Sequence, residues 1–315
     1  MAMQLRTDLA AGEPVSVVPI DSQMVPRQPQ VAVDLRGMIH LVFSSQNEIY
    51  YTTSVDQGKS FHKPSLVAKP SMLALGMRRG PRIAISEKAI AISAIGGELG
   101  GGRDGDLWSW RSEDQGKTWQ GPVQVNDAKI SARECLHAMA ASPDGELFCT
   151  WLDLRNKRTE LWGLSSNDKG ATWSKNVLVY QSPDGSICEC CHPSATYDKQ
   201  GRLAVLWRNS FAGNRDMYMA LTLDHGKTFA APSKLGQGAW ELDSCPMDGG
   251  ALTATADGKY AAVWRRKNSL FATQNDQSTE QFLEDGLQPW LAAYPNRHLH
   301  LWIQKRLGDL WLLTP

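Results

Sequence analysis

Ser112-Glu-Asp114-Gln-Gly116-Lys-Thr-Trp119 decides how this sequence is read, because the figure recurs. It stands again at Ser54-Val-Asp56-Gln-Gly58-Lys-Ser-Phe61, at Ser166-Asn-Asp168-Lys-Gly170-Ala-Thr-Trp173 and at Thr222-Leu-Asp224-His-Gly226-Lys-Thr-Phe229. The copies lie about 55 residues apart, which is the length of a four-stranded blade rather than of a helical repeat. Each copy reads as a tight hairpin turn. The aspartate can accept backbone N–H groups inside the turn, the glycine supplies a positive φ, and the final aromatic packs between sheets. These aspartates are therefore expected to be latches and not reacting groups.

Ahead of each box runs an alternating strand, a turn, and a second strand ending in an apolar or aromatic residue. The copies read QPQVAVDLRGMIHLVF from Gln28, GPRIAISEKAIAISAI from Gly80, LHAMAASPDGELFCTW from Leu136, HPSATYDKQGRLAVLW from His192 and GGALTATADGKYAAVW from Gly249. Five blades follow. The fifth has a degenerate box, FATQNDQSTEQF, without the glycine. The remaining LAAYPNRHLHLWIQKRLGDLWLLTP holds about three strands, and the segment 3–20 offers the fourth. Closing the last blade from both ends leaves no exposed sheet edge. The expectation is an all-β, six-bladed β-propeller, one domain over 1–315, with its last blade closed by the N-terminal strand and no need of an edge partner, hence a monomer.

With 33 basic and 33 acidic side chains the formal charge is zero, which gives no electrostatic reason for nucleic acid or an anionic membrane as partner. No apolar run approaches the roughly 20 residues that cross a bilayer, so no membrane insertion is expected. The expected partner is a small molecule, a glycan or a protein. The opening MAMQLRTDLAAGEP has no basic segment followed by an apolar one, so no signal peptide is visible.

The boxes and their spacing resemble the sialidase and BNR-repeat (Asp-box) superfamily over nearly the whole chain. The resemblance implies a carbohydrate-directed propeller, an exo-glycosidase or a glycan binder, in a secreted or periplasmic setting and with no required cofactor. Two other readings stand beside it, a metal-binding or thiol-dependent propeller with a Cys/His/Met site at the channel mouth and a non-catalytic protein-binding propeller. Sialidases hold a substrate carboxylate with three arginines and use a tyrosine nucleophile assisted by a glutamate, with an aspartate as acid/base. Arg27 in MVPRQP resembles the first arginine and Arg208 in LWRN the second, while Arg265, Arg266 and Arg297 compete for the third place. Glu189 lies close to the place of the glutamate and His192 lies nearer to it. Tyr294 in AAYPNRH is the tyrosine near the start of the sixth blade, and Asp104 or Asp106 in GGGRDGDLW is the candidate acid.

Propeller geometry places function a second way. If the boxes occupy one face, the loops entering each first strand and those between the second and third strands share the other, and the entry loops read MVPRQP, MRRGPR, RECLHA, CECCHPS, DSCPMDGG and YPNRH. Five of the six cysteines fall in them. Three readings stay open for these thiols. Disulfides between neighbouring loops would pair Cys245 with Cys190 or Cys191. A copper or zinc site would use Cys190, Cys191, His192 and Cys245. Free structural thiols are the third, and Cys149 in the apolar LFCTW belongs there. Arg78, Arg79 and Arg82 form either an anion-binding patch or outward charges paired with carboxylates. Trp151, Trp207 and Trp264 are expected in the core between blades, and Trp240 is the tryptophan expected to stack on a sugar.

Overall fold

The computed structural model describes residues 15–19, 22–87, 89–274, 278–294, 297–303 and 310–313. Among them there is no helix, and none long and apolar enough to cross a membrane. They form six antiparallel sheets. The first runs in order through Pro26–Val33, Ile39–Ser45, Glu48–Ser54 and Ser65–Ala68. In the second, Met72–Leu73 and Arg82–Ile85 both pair with Ile90–Gly97, which is followed by Asp106–Ser112 and Gln120–Gln124. The third is His137–Ala141, Leu147–Asp153, Glu160–Ser166 and Val177–Tyr180. Ser194–Tyr197, Leu203–Arg208, Met217–Thr222 and Ser233–Lys234 make the fourth, and Ala251–Ala254, Tyr260–Arg266, Ser269–Gln274 and Gln281–Asp285 the fifth. Leu287–Tyr294, Arg297–Ile303 and Leu310–Leu313 make the last.

The class is all-β and of the β-propeller kind, as the repeat implied. The last sheet shows three strands among the described residues. The proposed fourth strand, 3–20, falls outside them except for 15–19, which carry no strand. The degenerate fifth box lies partly outside them as well, at 275–277.

Two compact units divide the chain, Gly12–Arg158 with Trp162–Val177, and Thr159–Leu161 with Leu178–Pro315. In each unit the second strand of a sheet is buried along its length, as in Leu147–Asp153 and Leu203–Arg208. Such a strand is covered on both faces and so reads as a continuous apolar run instead of alternating. In the unit containing the first sheets, Leu107, Met139, Leu147, Cys149 and Trp151 share one core cluster. In the other, Ala204, Leu206, Met217, Leu252 and Trp264 share another. Trp151, Trp207 and Trp264 are all buried.

The boxes fold as latches. Ser112 Oγ accepts from Gly116 N at 2.8 Å and donates to Asp114 Oδ1 at 2.8 Å. The same carboxylate accepts Thr118 N at 2.9 Å and the Thr118 hydroxyl at 2.6 Å. Gln115 and Gly116 both have positive φ, 63° and 81°, and a Cβ on Gly116 would lie 2.2 Å from the Tyr51 ring. The terminal aromatics pack between sheets: Trp119 meets Tyr51 edge-on with ring centres 5.3 Å apart, and Trp173 Nε1 donates to Ser109 Oγ at 3.0 Å.

This geometry sets a pH dependence. The Thr118 hydroxyl, then its N–H and the Ser112 hydroxyl, hold the Asp114 carboxyl down at about 2 against an ordinary 3.8, and Asp56, Asp168 and Asp224 are lowered in the same way. A carboxyl lowered by folding contributes stability that is complete above its unfolded value and is lost as pH falls through its folded value. Melting temperature is expected to hold down to about pH 5 and to drop as pH falls toward about 2, more shallowly in Asp114→Asn. Identical acid slopes for variant and wild type would contradict the latch.

Candidate functional site

The loop entering the fourth sheet, Ile187-Cys188-Glu189-Cys190-Cys191-His192-Pro193, is fixed by backbone bonds at its start. Ile187 N donates to Thr159 O at 2.9 Å and Cys188 N to Arg208 O at 3.1 Å. Arg208 ends the second strand of that sheet and is 1% exposed. Its guanidinium donates from Nε to Asp248 O at 3.0 Å, from one terminal nitrogen to Arg215 O at 2.6 Å and from the other to Arg265 O at 2.9 Å. One cation thus ties together its own blade's second-to-third loop, the entry loop of the fifth sheet and the end of that sheet's second strand.

Arg265 is braced similarly. It pairs with the buried Asp248 carboxylate at 2.9 Å and donates to Pro246 O at 2.8 Å and Lys267 O at 3.2 Å. Asp248 also accepts Gln288 N at 2.9 Å. Trp240, the expected sugar platform, is 6% exposed, with the Arg208 and Arg265 guanidinium carbons 5.2 and 5.1 Å from its ring centre. Its backbone N–H donates to Asp216 Oδ1 at 2.9 Å. This position makes it a wall of the arginine cluster rather than an open face.

The cysteines gather in the same unit. Cys190 is bonded to Cys245, one of the two pairings expected for Cys245, with Cα atoms 6.1 Å apart. Cys188 and Cys191 are free and buried, with Sγ atoms 3.2 Å apart, and Cys188 Sγ lies 3.8 Å from Cys190 Sγ. The hydrogen bond with Cys191 holds the Cys188 thiol below the usual range, against burial, with Arg208 and Arg215 acting in the same direction. Burial pushes Cys191 well above that range. The Sγ atoms of Cys188, Cys190 and Cys191 lie within 4.8 Å of one another. With Cys190 and Cys245 joined, the thiolates left on this loop are two of the four donors a closed zinc site takes. His192 is 4% exposed and stacks on Trp290 with ring centres 6.4 Å apart. Gly249 lets the entry loop of the fifth sheet pass close to His192, because a Cβ there would lie 2.2 Å from His192 O.

Glu189 and Asp243 are exposed on these two entry loops. Tyr294 ends the first strand of the last sheet, and its side chain is outside the described residues, as is that of Arg297. Arg215 was not singled out by sequence. It sits in the loop after the second strand, which faces the same end as the entry loops, so counting those loops as well would have found it.

In the other unit Arg27 is exposed, and its carbonyl accepts Ser44 Oγ at 3.0 Å. Arg82 is buried and does not point outward. It donates to His137 O at 3.2 Å, to the carbonyls of Arg79, Gly80 and Pro81, and to that of Arg78. Burial, with Arg78 nearby, pushes it down to about 10. Arg79 Nε donates to Glu134 O at 3.2 Å. His137 Nε2 is 3.0 Å from Ser93 Oγ, and burial, then Arg82, hold the imidazole well below its ordinary value and hence neutral. Asp104 accepts the N–H groups of Glu98, Leu99 and Gly100 at 2.7, 2.9 and 3.0 Å. These bonds, that of Leu99 first, keep its carboxyl low, the opposite of what a general acid needs. Asp106 accepts Ile130 N and Asn126 Nδ2 at 2.6 and 2.7 Å. Cys135 and Cys149 are buried thiols raised by burial.

The sequence model of the BNR repeat-like domain family matches residues 98–282, more than half of the chain. No curated protein matches it by sequence. Among solved structures, a protein of unknown function from Dyadobacter fermentans is 19% identical, with 95% of this chain and 96% of that one covered at TM-score 0.60. An α-L-arabinanase of Penicillium chrysogenum bound to arabinobiose is 14% identical, with 93% and 94% covered at TM-score 0.62. The intramolecular trans-sialidase of Ruminococcus gnavus with oseltamivir carboxylate is 10% identical, with 92% and 93% covered at TM-score 0.60. At these identities the likeness carries the fold alone.

Proposed function

The chain belongs to the BNR repeat-like family, and from that premise we propose that it is a glycan-directed, glycosidase-type propeller whose ligand is a neutral sugar met by the entry loops 187–193 and 236–250. The observation that carries the word neutral is the state of the two arginines beside these loops. The three guanidinium nitrogens of Arg208 each donate to a backbone carbonyl, and Arg265 donates to the Lys267 and Pro246 carbonyls and pairs with the Asp248 carboxylate. A carboxylate clamp needs guanidinium forks aimed at the ligand. Drawing these away would leave buried carbonyls unpaired at about 1–3 kcal/mol each. Hydroxyl groups of a neutral sugar ask less, and the exposed Glu189 and Asp243 can accept from them.

Glu189 is the carboxyl group assigned to proton transfer, and no cofactor enters the reading. The Cys190–Cys245 bond fits an oxidising setting, secreted or periplasmic, in which the protein acts as one domain and as a monomer. The test is a panel of aryl glycosides with sialosides and α-L-arabinofuranosides side by side. Neutral substrates are expected to turn over, with kcat reduced about 100-fold in Glu189→Gln. Turnover of the sialoside in preference would overturn the neutral assignment, and neither turnover nor binding of any glycan would overturn the carbohydrate reading altogether.

A further inference from the structure

The four sulfur atoms at the fourth and fifth sheet entries are more than a loop staple. Cys190 is half-buried and Cys245 exposed, and beside their bond two thiols remain unoxidised. Cys188 Sγ is 3.8 Å from Cys190 Sγ and 3.2 Å from Cys191 Sγ. Cys188 and Cys191 stand in the Cys-x-x-Cys spacing of redox-active thiol pairs. A disulfide serving only as a staple is best kept away from thiols, because an adjacent thiolate exchanges with it. Here the nucleophile sits on the same loop as the sulfur it would attack.

We infer that Cys188, Cys190, Cys191 and Cys245 form a thiol–disulfide exchange centre whose outer pair reacts with accessible disulfides of peptides or small molecules. In the first step the Cys188 sulfur attacks Cys190 Sγ, and the proton it loses is matched by the one taken up at the leaving sulfur. The Cys188–Cys190 bond forms, the Cys190–Cys245 bond breaks, and the electron pair leaves on Cys245, which takes up a proton. In the second, Cys191 attacks Cys188 Sγ in the same manner and releases Cys190. One disulfide has moved inward, nothing has been oxidised overall, and Cys190 and Cys245 stand as an outer dithiol. That dithiol reduces an external disulfide to two thiols and is itself returned to the Cys190–Cys245 bond, leaving two disulfides in the protein. The inference uses none of the assumptions of the glycan reading.

The test uses the full chain without added reductant. It is pulsed with iodoacetamide in mildly alkaline buffer, denatured, capped with a second alkylating agent and mapped by peptide mass spectrometry. Wild type is expected to acquire label on Cys245 with time, together with a Cys188–Cys191 or Cys188–Cys190 bond, and Cys188→Ser to label Cys245 about tenfold more slowly or less. The wild-type result decides alone if the variant does not fold. A Cys190–Cys245 bond that stays intact throughout overturns the proposal. So does stoichiometric copper or zinc with all four cysteines recovered as thiols, which would make the cluster a metal site.

Discussion

Arg208→Met is expected to lower the free energy of unfolding by about 3–5 kcal/mol, measured by urea denaturation, because it strips the donor from a buried set of acceptors. The carbonyls of Asp248, Arg215 and Arg265 would each lose their partner, and methionine cannot donate. The arginine is also packed 5.2 Å from the Trp240 ring centre, so some of the cost is lost contact. Arg208→Lys should recover only a fraction, since a single ammonium cannot reach three carbonyls in the divergent directions a planar fork reaches. The same pair of variants separates brace from ligand clamp. A brace loses stability first and ligand affinity only as the entry loops loosen. Unchanged stability with abolished sialoside binding would return Arg208 to the role suggested by the family resemblance.

That role could not have been refused from sequence, and the reason is distance along the chain. The Arg208 acceptors include residues 40 and 57 positions away, on the entry loop and the second strand of the next sheet, which reach it only when whole blades have formed. The boxes were legible because each latch closes within its own turn: Ser112, Asp114, Gly116 and Thr118 satisfy one another. The Cys190–Cys245 pair lies between these extremes. Its separation of 55 residues is close to the repeat spacing, so the two cysteines occupy the same loop in successive blades, and the period itself brings them together. Cys188 and Cys191 are neighbours in sequence, yet their contact depends on the fold of the entry loop, which no periodicity describes. The sequence leaves Arg82 as either ligand or surface charge, because burial of an arginine by main-chain carbonyls leaves no trace in residue type.

Asp153→Ala is expected to cost about 3–5 kcal/mol, as removal of one partner from a buried ionic network does. The Asp153 carboxylate is fully buried and accepts from Ser131 Oγ at 2.7 Å, Trp151 Nε1 at 2.7 Å and Arg155 N at 2.8 Å, and pairs with Arg155 Nε at 2.9 Å. Alanine would leave the Trp151 N–H in the core without an acceptor. Arg155 would keep Asp127 and Asn176, both at 2.8 Å. Asp127 has a half-exposed side chain, so Asp127→Ala is expected to cost under about 1 kcal/mol. Equal losses for the two alanine variants would refute the distinction. Asp153→Ala with Arg155→Met should be less damaging than the sum of the two, because it is the orphaned partner that costs most. The position explains why such groups recur. Each follows the last core residue of a blade's second strand: Ser44 and Ser45 after Phe43, Asp153 after Leu152, Arg208 after Trp207, Arg265 after Trp264. Ser44 reaches the Arg27 carbonyl and Ser45 the Val25 N–H, so even the smallest of them bonds to an entry strand or loop. The end of the second strand is where core packing stops and irregular backbone begins. A buried polar side chain placed there satisfies loop groups that no ladder can reach. Charge at these positions is therefore first a consequence of the blade, and function must be sought in the exposed groups and sulfur atoms the braces hold in place.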